Sequence, residues 1–217
     1  MKTTKLILTA LIGFFINAAS AENFSLGTKY TSDYFYRGAL QAQESIQVDL
    51  GMSGRVSGLD YSVGAFTNQS VNSGVDSYIL TGGVSKSFAD SLVNVYGGLN
   101  HVENVAGEAL LEASIAISFD TLLSPSLSFF RNLDDSLYTS ELSVSHDLDL
   151  DVCNLNASAS VGNTDTSSSN DNTYYTVGVE ASRSLGESSS IAVDLIRVDS
   201  ETIGEEYVVG LGISTQF

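Results

Sequence analysis

The sequence has few of the residues that carry cross-links and catalytic chemistry. Its 217 residues contain one cysteine, one proline, two histidines and no tryptophan. Cys153 has no second cysteine to pair with, so the fold does not depend on the internal disulfides that stabilise many small secreted domains. Pro125 falls in a predicted turn, where its missing N–H interrupts no strand pairing.

Lysine and arginine are also scarce. There are 9 of them against 26 aspartates and glutamates, which gives a formal net charge of -17. Binding to nucleic acid needs clustered Lys and Arg that neutralise phosphates, so we expect no nucleic-acid partner. Charged residues of both signs make up only 16% of the chain, which is low for a protein whose strands face water on one side.

The first residues have the composition of a secretory signal peptide. Two lysines near the start precede the apolar run 6–16, and small residues follow at 18–21. The apolar run is too short for a transmembrane helix, which needs about 20 residues. We therefore predict a signal peptide over 1–21 and one domain over 22–217.

Strict alternation of apolar and polar residues is the dominant pattern in the rest of the chain. Ile46, Val48 and Leu50, for example, are separated by Gln47 and Asp49. Such segments recur about twelve times, each near the roughly 9–11 residues that a transmembrane barrel strand needs. A soluble β-sandwich also alternates, but its polar face usually carries more charge than the Ser, Thr, Gly and Asn residues found here. The pattern predicts an all-β fold: an antiparallel, transmembrane up-and-down β-barrel of about 12 strands in the outer membrane of a Gram-negative bacterium.

An even number of strands would place both chain ends on the periplasmic side. The connections predicted on the outer side lie near 37–44, 68–75, 101–108, 132–137, 163–173 and 199–205. The turns predicted on the periplasmic side lie near 54–58, 87–91, 120–125, 149–153 and 185–189.

The last strand alternates up to the final residue. The segment that begins near Tyr207 ends on Phe217, in phase with its apolar face. This ending resembles the C-terminal strand signal of outer-membrane barrels, which is read by the barrel assembly machinery. The resemblance implies that Tyr207 and Phe217 belong to an assembly signal.

Alternation also sorts the charged residues into two faces. The residues predicted to point into the lumen are Lys29, Asp33, Arg37, Asp49, Glu112, Glu141, Glu180, Asp194 and Glu206. A mostly acidic lining would favour cations over anions. The alternative is a closed interior in which these groups satisfy one another by salt bridges and hydrogen bonds. We also predict that Arg37 pairs with Glu206 across the seam between the first and last strands.

Other residues are predicted to face the membrane. Tyr34 and Tyr36 share the parity of Tyr30 on the lipid-facing side of the first strand. Arg131 and Arg197 fall at predicted outer ends, where arginine can bind the phosphates of lipopolysaccharide with two hydrogen bonds.

The first strand also carries a family resemblance. The segment TSDYFYRG at 31–38, followed by GLDYSVGAFTN at 58–68, resembles the proteobacterial Gcw_chp-type family of barrel proteins of unassigned function. Ser32, Asp33, Tyr34, Arg37 and Gly38 fit the S-D-Y-x-[FY]-R-G pattern of that family, as does Tyr36. The resemblance implies a location and a fold rather than a reaction.

No catalytic or metal-binding pattern stands out. His101 and His146 are the two histidines, and neither accompanies a nucleophile motif or the spacing of metal ligands. We therefore expect no enzyme activity and no cofactor.

The expected function is a small passive pore for hydrophilic solutes with a mild cation preference. The alternatives are a structural or surface-binding barrel without transport and, less favoured, an outer-membrane hydrolase. The expected partners are outer-membrane lipid, lipopolysaccharide, the barrel assembly machinery during biogenesis and small hydrophilic solutes.

Overall fold

A computed structural model describes residues 23–104, 109–135, 137–165 and 171–217. In these ranges the chain forms twelve strands that pair antiparallel in chain order, and the last strand pairs with the first to close a barrel. The predicted antiparallel up-and-down barrel is thereby confirmed. The predicted signal peptide lies outside the described residues. The strands are β1 (Asn23–Tyr36), β2 (Ala39–Val56), β3 (Leu59–Gly74), β4 (Ser77–Phe88), β5 (Val93–Asn104), β6 (Ala109–Phe119), β7 (Ser126–Asn132), β8 (Tyr138–Asp149), β9 (Asn154–Thr164), β10 (Asn172–Ser184), β11 (Ser189–Ser200) and β12 (Gly204–Gln216).

Several strands are longer than the alternation predicted. β2 has 18 residues and β3 has 16, so most of the predicted outer loops 37–44 and 68–75 is strand. His101, predicted in a loop, lies in β5. The first connection is only the turn Arg37–Gly38, and both residues have positive φ, 51° and 74°. This conformation suits a two-residue hairpin, because its twist matches that of the flanking strands.

The outer face of the barrel is apolar. The strand register aligns Val193 of β11, Leu211 of β12, Tyr30 of β1 and Ile46 of β2 in one continuous row. All four side chains are about half exposed, and similar residues continue around the described strands. An apolar surface of this extent would cause aggregation in water. In lipid it is favourable, and the closed sheet pairs the backbone groups that lipid cannot satisfy. No helix in the described ranges is long and apolar enough to cross a membrane.

The inner face combines small residues with a few large ones. Tyr96 of β5 lies against Gly83 of β4 and Gly98 of its own strand. A Cβ atom at either glycine would collide with the phenol ring. The two glycines therefore make room for a tyrosine that points into the lumen.

The two described chain ends meet at one end of the barrel, which we call the inner end; the opposite end is the outer end. Phe217 and Phe24 exchange two backbone hydrogen bonds, with N···O distances of 2.9 and 3.2 Å. Their rings also pack, with centroids 6.0 Å apart. The final residue therefore takes part in closing the barrel between β1 and β12.

Gly98→Ala tests the packing of Tyr96. We expect a loss of about 1–3 kcal/mol in the free energy of unfolding, because the added methyl group overpacks the site. Gly97→Ala is the matched control, since no atom lies within 4 Å of a Cβ at that position. Reversible urea unfolding in lipid vesicles measures both variants. Equal stability of the two variants would show that the ring does not need the glycine.

Phe217→Ala tests the predicted assembly signal, with Phe24→Ala as its control. Both variants remove the same ring contact, but only the first changes the C-terminal residue. We expect Phe217→Ala to lower the amount of folded barrel in cells far more than Phe24→Ala, while both refold equally well into detergent in vitro. Quantitative gel-shift assays of heat-modifiable barrel measure both. Equal losses in cells would attribute the effect to the ring contact alone.

Candidate functional site

The inner face carries three basic side chains among the described residues, and a carboxylate lies beside each of them. Lys29 lies 2.8 Å from Asp194, and the guanidinium of Arg37 binds Glu112. Arg55 lies 2.6 Å from Asp60 near the inner end. Arg55 was missed in the sequence, although it shares the parity of Asp49 along β2. The positive charge on the inner face is therefore already balanced by neighbouring carboxylates.

Many other inward carboxylates have no basic partner among the residues that the structure describes. By register, Glu180 of β10 lies in one row with Asn156 of β9 and Asp147 of β8. Asp147 accepts a 2.7 Å hydrogen bond from the Asn156 amide, and it lines a cavity of about 390 Å³ with Asp149 and Glu180. Asp147 and Asp149 were also missed, although they continue the alternation that places Glu141 inward. The inner end is thus markedly acidic.

Glycines create space for the inward charges. A Cβ atom on Gly210 would collide with both Lys29 and Asp194, and one on Gly27 would collide with Asp49. Asp49 is exposed, whereas Asp194 is only 4% exposed. Charged side chains are therefore packed together around Lys29 and Asp194, whereas Asp49 borders open space in another part of the lumen.

The outer end of the first hairpin departs from the barrel wall. The ladder between β1 and β12 ends at the pair Thr31–Gly210, and beyond it the Ser32 hydroxyl accepts a hydrogen bond from the Val209 N–H. Residues 32–43 form the segment that we call the β1–β2 hairpin. The pairing is irregular between Tyr34 and Phe35 in β1 and around Glu44 in β2, where φ is 52°. Bulges of this kind bend strands.

The tip of the β1–β2 hairpin reaches the opposite wall of the barrel. Both terminal nitrogens of Arg37 donate to the carboxylate of Glu112 on β6, one of them over 2.6 Å to Oε2. In a ring of twelve strands, β7 and β8 lie opposite the β1–β2 turn, and β6 flanks them. The side chains of Arg37 and Glu112 are 14% and 4% exposed. Removing one partner of such a buried pair costs roughly 3–5 kcal/mol.

Two aromatic rings contact the Arg37 guanidinium. Its central carbon lies 4.0 Å from the ring centroid of Phe130 on β7 and 4.8 Å from that of Tyr36. The Tyr36 hydroxyl donates a 2.9 Å hydrogen bond to Glu112. We call the side chains of Tyr36, Arg37, Glu112 and Phe130 the Arg37 clamp. Its cation–π contacts and charge-assisted hydrogen bonds fix the hairpin tip across the lumen.

A second contact lies on β10. Gly38, at the tip, lies against the ring of Tyr174, and a Cβ at this position would collide with that ring. The Tyr174 hydroxyl donates a 2.7 Å hydrogen bond to Glu141 on β8. The hairpin tip is therefore in contact with two separate parts of the wall, β6 and β7 on one side and β10 on the other.

Two sequence predictions about this hairpin were wrong. Arg37 pairs with Glu112 and not with Glu206. Tyr34 and Tyr36 do not face lipid, since Tyr36 binds Glu112 and the Tyr34 ring packs 5.6 Å from Phe66, whose partner in the register is the inward Asp49. The physical reason is that β1 leaves β12 beyond Thr31 and the hairpin bends into the lumen, so alternation along β1 no longer decides which residues meet lipid.

Polar side chains cover the wall at the base of the hairpin. Thr31, Ser45, Asn68 and Ser77 are at most 4% exposed. The Ser45 hydroxyl, the Asn68 amide nitrogen and the Ser77 hydroxyl have no hydrogen-bond partner in the described protein. This part of the wall is therefore polar and not an apolar core, although these atoms are themselves shielded from solvent.

A vestibule opens above the hairpin at the outer end. It has a volume of about 550 Å³, and its lining includes Arg37, Gln41, Glu112, Asp135, Asn172 and Thr202. Glu206 is exposed near this end and shares the parity of buried Val208. Asp33 is half-buried at the base of the hairpin, opposite Gln43.

The two arginines predicted to contact lipopolysaccharide lie on the outer face by register. Arg131 is exposed, and its guanidinium lies 5.5 Å from the ring centroid of Tyr138. Arg197 lies 2.9 Å from Glu205 and 3.5 Å from Asp199. A phosphate at Arg197 would therefore compete with two carboxylates. No carboxylate among the described residues is in salt-bridge contact with Arg131.

Neither histidine lies in a catalytic arrangement. His101 lies 3.5 Å from Glu103, and His146 Nδ1 lies 2.7 Å from the Leu122 carbonyl oxygen. In the part of the chain that the structure describes, no group of three or more His, Cys, Asp or Glu side chains could hold a metal ion.

Solved structures of outer-membrane proteins share this fold. The KdgM porin in complex with disordered oligogalacturonate has 12% sequence identity and a TM-score of 0.60, over 90% of this chain and 99% of that one. The COG4313 outer membrane channel from Pseudomonas putida F1 has 11% identity and a TM-score of 0.62, over 92% and 97%. The translocator domain of autotransporter NalP from Neisseria meningitidis has 13% identity and a TM-score of 0.60, over 100% and 95%.

No protein-family model matches the chain, and no curated protein matches it in sequence. The resemblance of residues 32–38 to the Gcw_chp-type motif therefore stays a hypothesis. The chain shares the closed β-barrel fold of these outer-membrane proteins, and its apolar outer face is suited to lipid.

Proposed function

We propose that this barrel is a passive pore of the Gram-negative outer membrane that passes small hydrophilic solutes and prefers cations. The observation that carries the proposal is the charge balance of the inner face. Lys29, Arg37 and Arg55 each lie beside a carboxylate, while Asp49, Asp147 and Glu180 have no basic partner among the described residues. The uncompensated charge is therefore negative.

A negative lining acts strongly inside a barrel. The low-dielectric wall focuses the field of the carboxylates into the aqueous space and raises the local concentration of cations. Rings of Asp and Glu side chains provide cation selectivity in other channels by the same effect. Transport of this kind requires no cofactor.

The lining also indicates which solutes do not fit. The KdgM porin structure contains oligogalacturonate, which is a chain of sugar carboxylates. Such a polyanion would be repelled by the acidic inner end around Asp147, Asp149 and Glu180. Small cations and small neutral solutes are the class that this lumen favours.

A barrel without transport is the second candidate, and one observation favours it. The β1–β2 hairpin crosses the lumen and is fixed by the Arg37 clamp, which could close the passage.

The hydrolase alternative has less support, since His101 and His146 contact a glutamate and a backbone carbonyl on the outer face instead of a nucleophile. We also propose that Arg131 contacts the phosphates of lipopolysaccharide. In the same role at Arg197, a phosphate would have to compete with the carboxylates of Asp199 and Glu205.

The test is ion selectivity in planar lipid bilayers. We expect the wild-type barrel to conduct and to show a reversal potential of cation-selective sign in a KCl gradient. Replacing Asp147, Asp149 and Glu180 together by amides should lower the ratio of cation to anion permeability about two-fold or more, because three uncompensated charges leave the lumen.

The control is Asp199→Asn together with Glu205→Gln, which removes carboxylates from the outer face near Arg197. This variant should keep the wild-type reversal potential. Anion selectivity of the wild type, or equal shifts in the two variants, would contradict the acidic-lumen argument. Absence of conductance in the wild type would favour the barrel without transport.

A further inference from the structure

We infer that the β1–β2 hairpin is the selectivity filter of this pore, with the Arg37–Glu112 pair at its narrowest point, and that it restricts passage to small ions and comparably small neutral solutes. The inference rests on the proposed pore function and adds to it the residues that limit size and charge. The hairpin is a part of the first two strands, so the filter does not require a separate long loop.

The position of the hairpin supports this role. Its tip contacts Glu112 on β6, Phe130 on β7 and Tyr174 on β10, so it reaches the wall on both sides of the point opposite β1 and β2. A solute that enters from the outer vestibule must therefore pass beside the Arg37 clamp before it reaches the acidic inner end.

The charges at this point are balanced. The single positive charge of Arg37 is bound to both oxygens of Glu112, and the nearby Glu141 carboxylate accepts the Tyr174 hydroxyl. Removing the arginine would expose Glu112 as an additional negative charge and would remove a long side chain from the tip. Removing the charge of Glu112 would instead leave an uncompensated cation at the same position. The two changes are thus expected to alter ion selectivity in opposite directions.

The wall at the hairpin base is polar, so the hairpin is not sealed against it by apolar packing. Ser45, Asn68 and Ser77 present buried polar atoms without protein partners beside the hairpin. Buried polar groups need hydrogen-bond partners, and a packed core would be built from apolar residues instead. The contacts that fix the hairpin across the lumen are therefore those of the Arg37 clamp at its tip.

Four variants test the filter in planar bilayers. Arg37→Ala should raise the single-channel conductance about two-fold or more and increase the ratio of cation to anion permeability, because the lumen becomes wider and more negative. Glu112→Gln should lower that permeability ratio. Arg37→Lys, which keeps the charge but loses the bidentate geometry, should give an intermediate conductance. Arg183→Ala is the control, since it removes one exposed positive charge whose register position is on the outer face.

Each result has a defined meaning. Opposite shifts in permeability ratio for Arg37→Ala and Glu112→Gln, with Arg183→Ala equal to wild type, support the filter. The filter is overturned, but the pore is not, if the wild type conducts and its conduction is unchanged in Arg37→Ala, Arg37→Lys and Glu112→Gln. If the wild type does not conduct but Arg37→Ala does, the result supports the hairpin as the barrier to passage. It then overturns only the proposal that the pore is constitutively open. Absence of conductance in every variant overturns both proposals. The heat-modifiable gel shift verifies folding, and Arg37→Lys carries the test if Arg37→Ala does not fold.

Discussion

The structure depends on one constraint: every backbone N–H and C=O group that faces lipid must be paired within the protein. A sheet meets this requirement only when it closes on itself, and here β12 pairs with β1 to complete the ring. The contact between Phe24 and Phe217 lies at that closure. Closure also separates two chemical environments, since alternate residues of each strand face lipid and lumen.

The first hairpin departs from this arrangement, and the departure is where the candidate function arises. The outer part of β1 gives up its pairing with β12 beyond Thr31, which is unfavourable unless new contacts compensate. The compensation comes from Arg37, whose side chain is bound by Glu112 and packs against Phe130 and Tyr36. Interactions across the lumen thus replace interactions within the wall.

Alternation along regular strands could be read directly from the sequence. It placed Lys29, Asp194 and Glu112 on the inner face, because each lies in a strand segment with unbroken register. It did not place Tyr34 and Tyr36, because β1 separates from β12 beyond Thr31 and the hairpin bends into the lumen. The partner of Arg37 could not be found from alternation at all. Arg37 and Glu112 are 75 positions apart in the sequence, and only barrel closure and the bend of the hairpin bring them together. Asp147 and Asp149, in contrast, obeyed the rule and could have been identified from it.

The central claim is that Arg37 and Glu112 interact across the lumen. A double-mutant cycle with Arg37→Ala, Glu112→Ala and the combined variant measures this interaction through the free energy of unfolding in lipid vesicles. The structure predicts strong non-additivity, with an interaction energy of about 1–3 kcal/mol, since either single change leaves a buried charge without its partner. Additive effects, within roughly 0.3–0.5 kcal/mol, would contradict the contact and with it the position of the hairpin in the lumen.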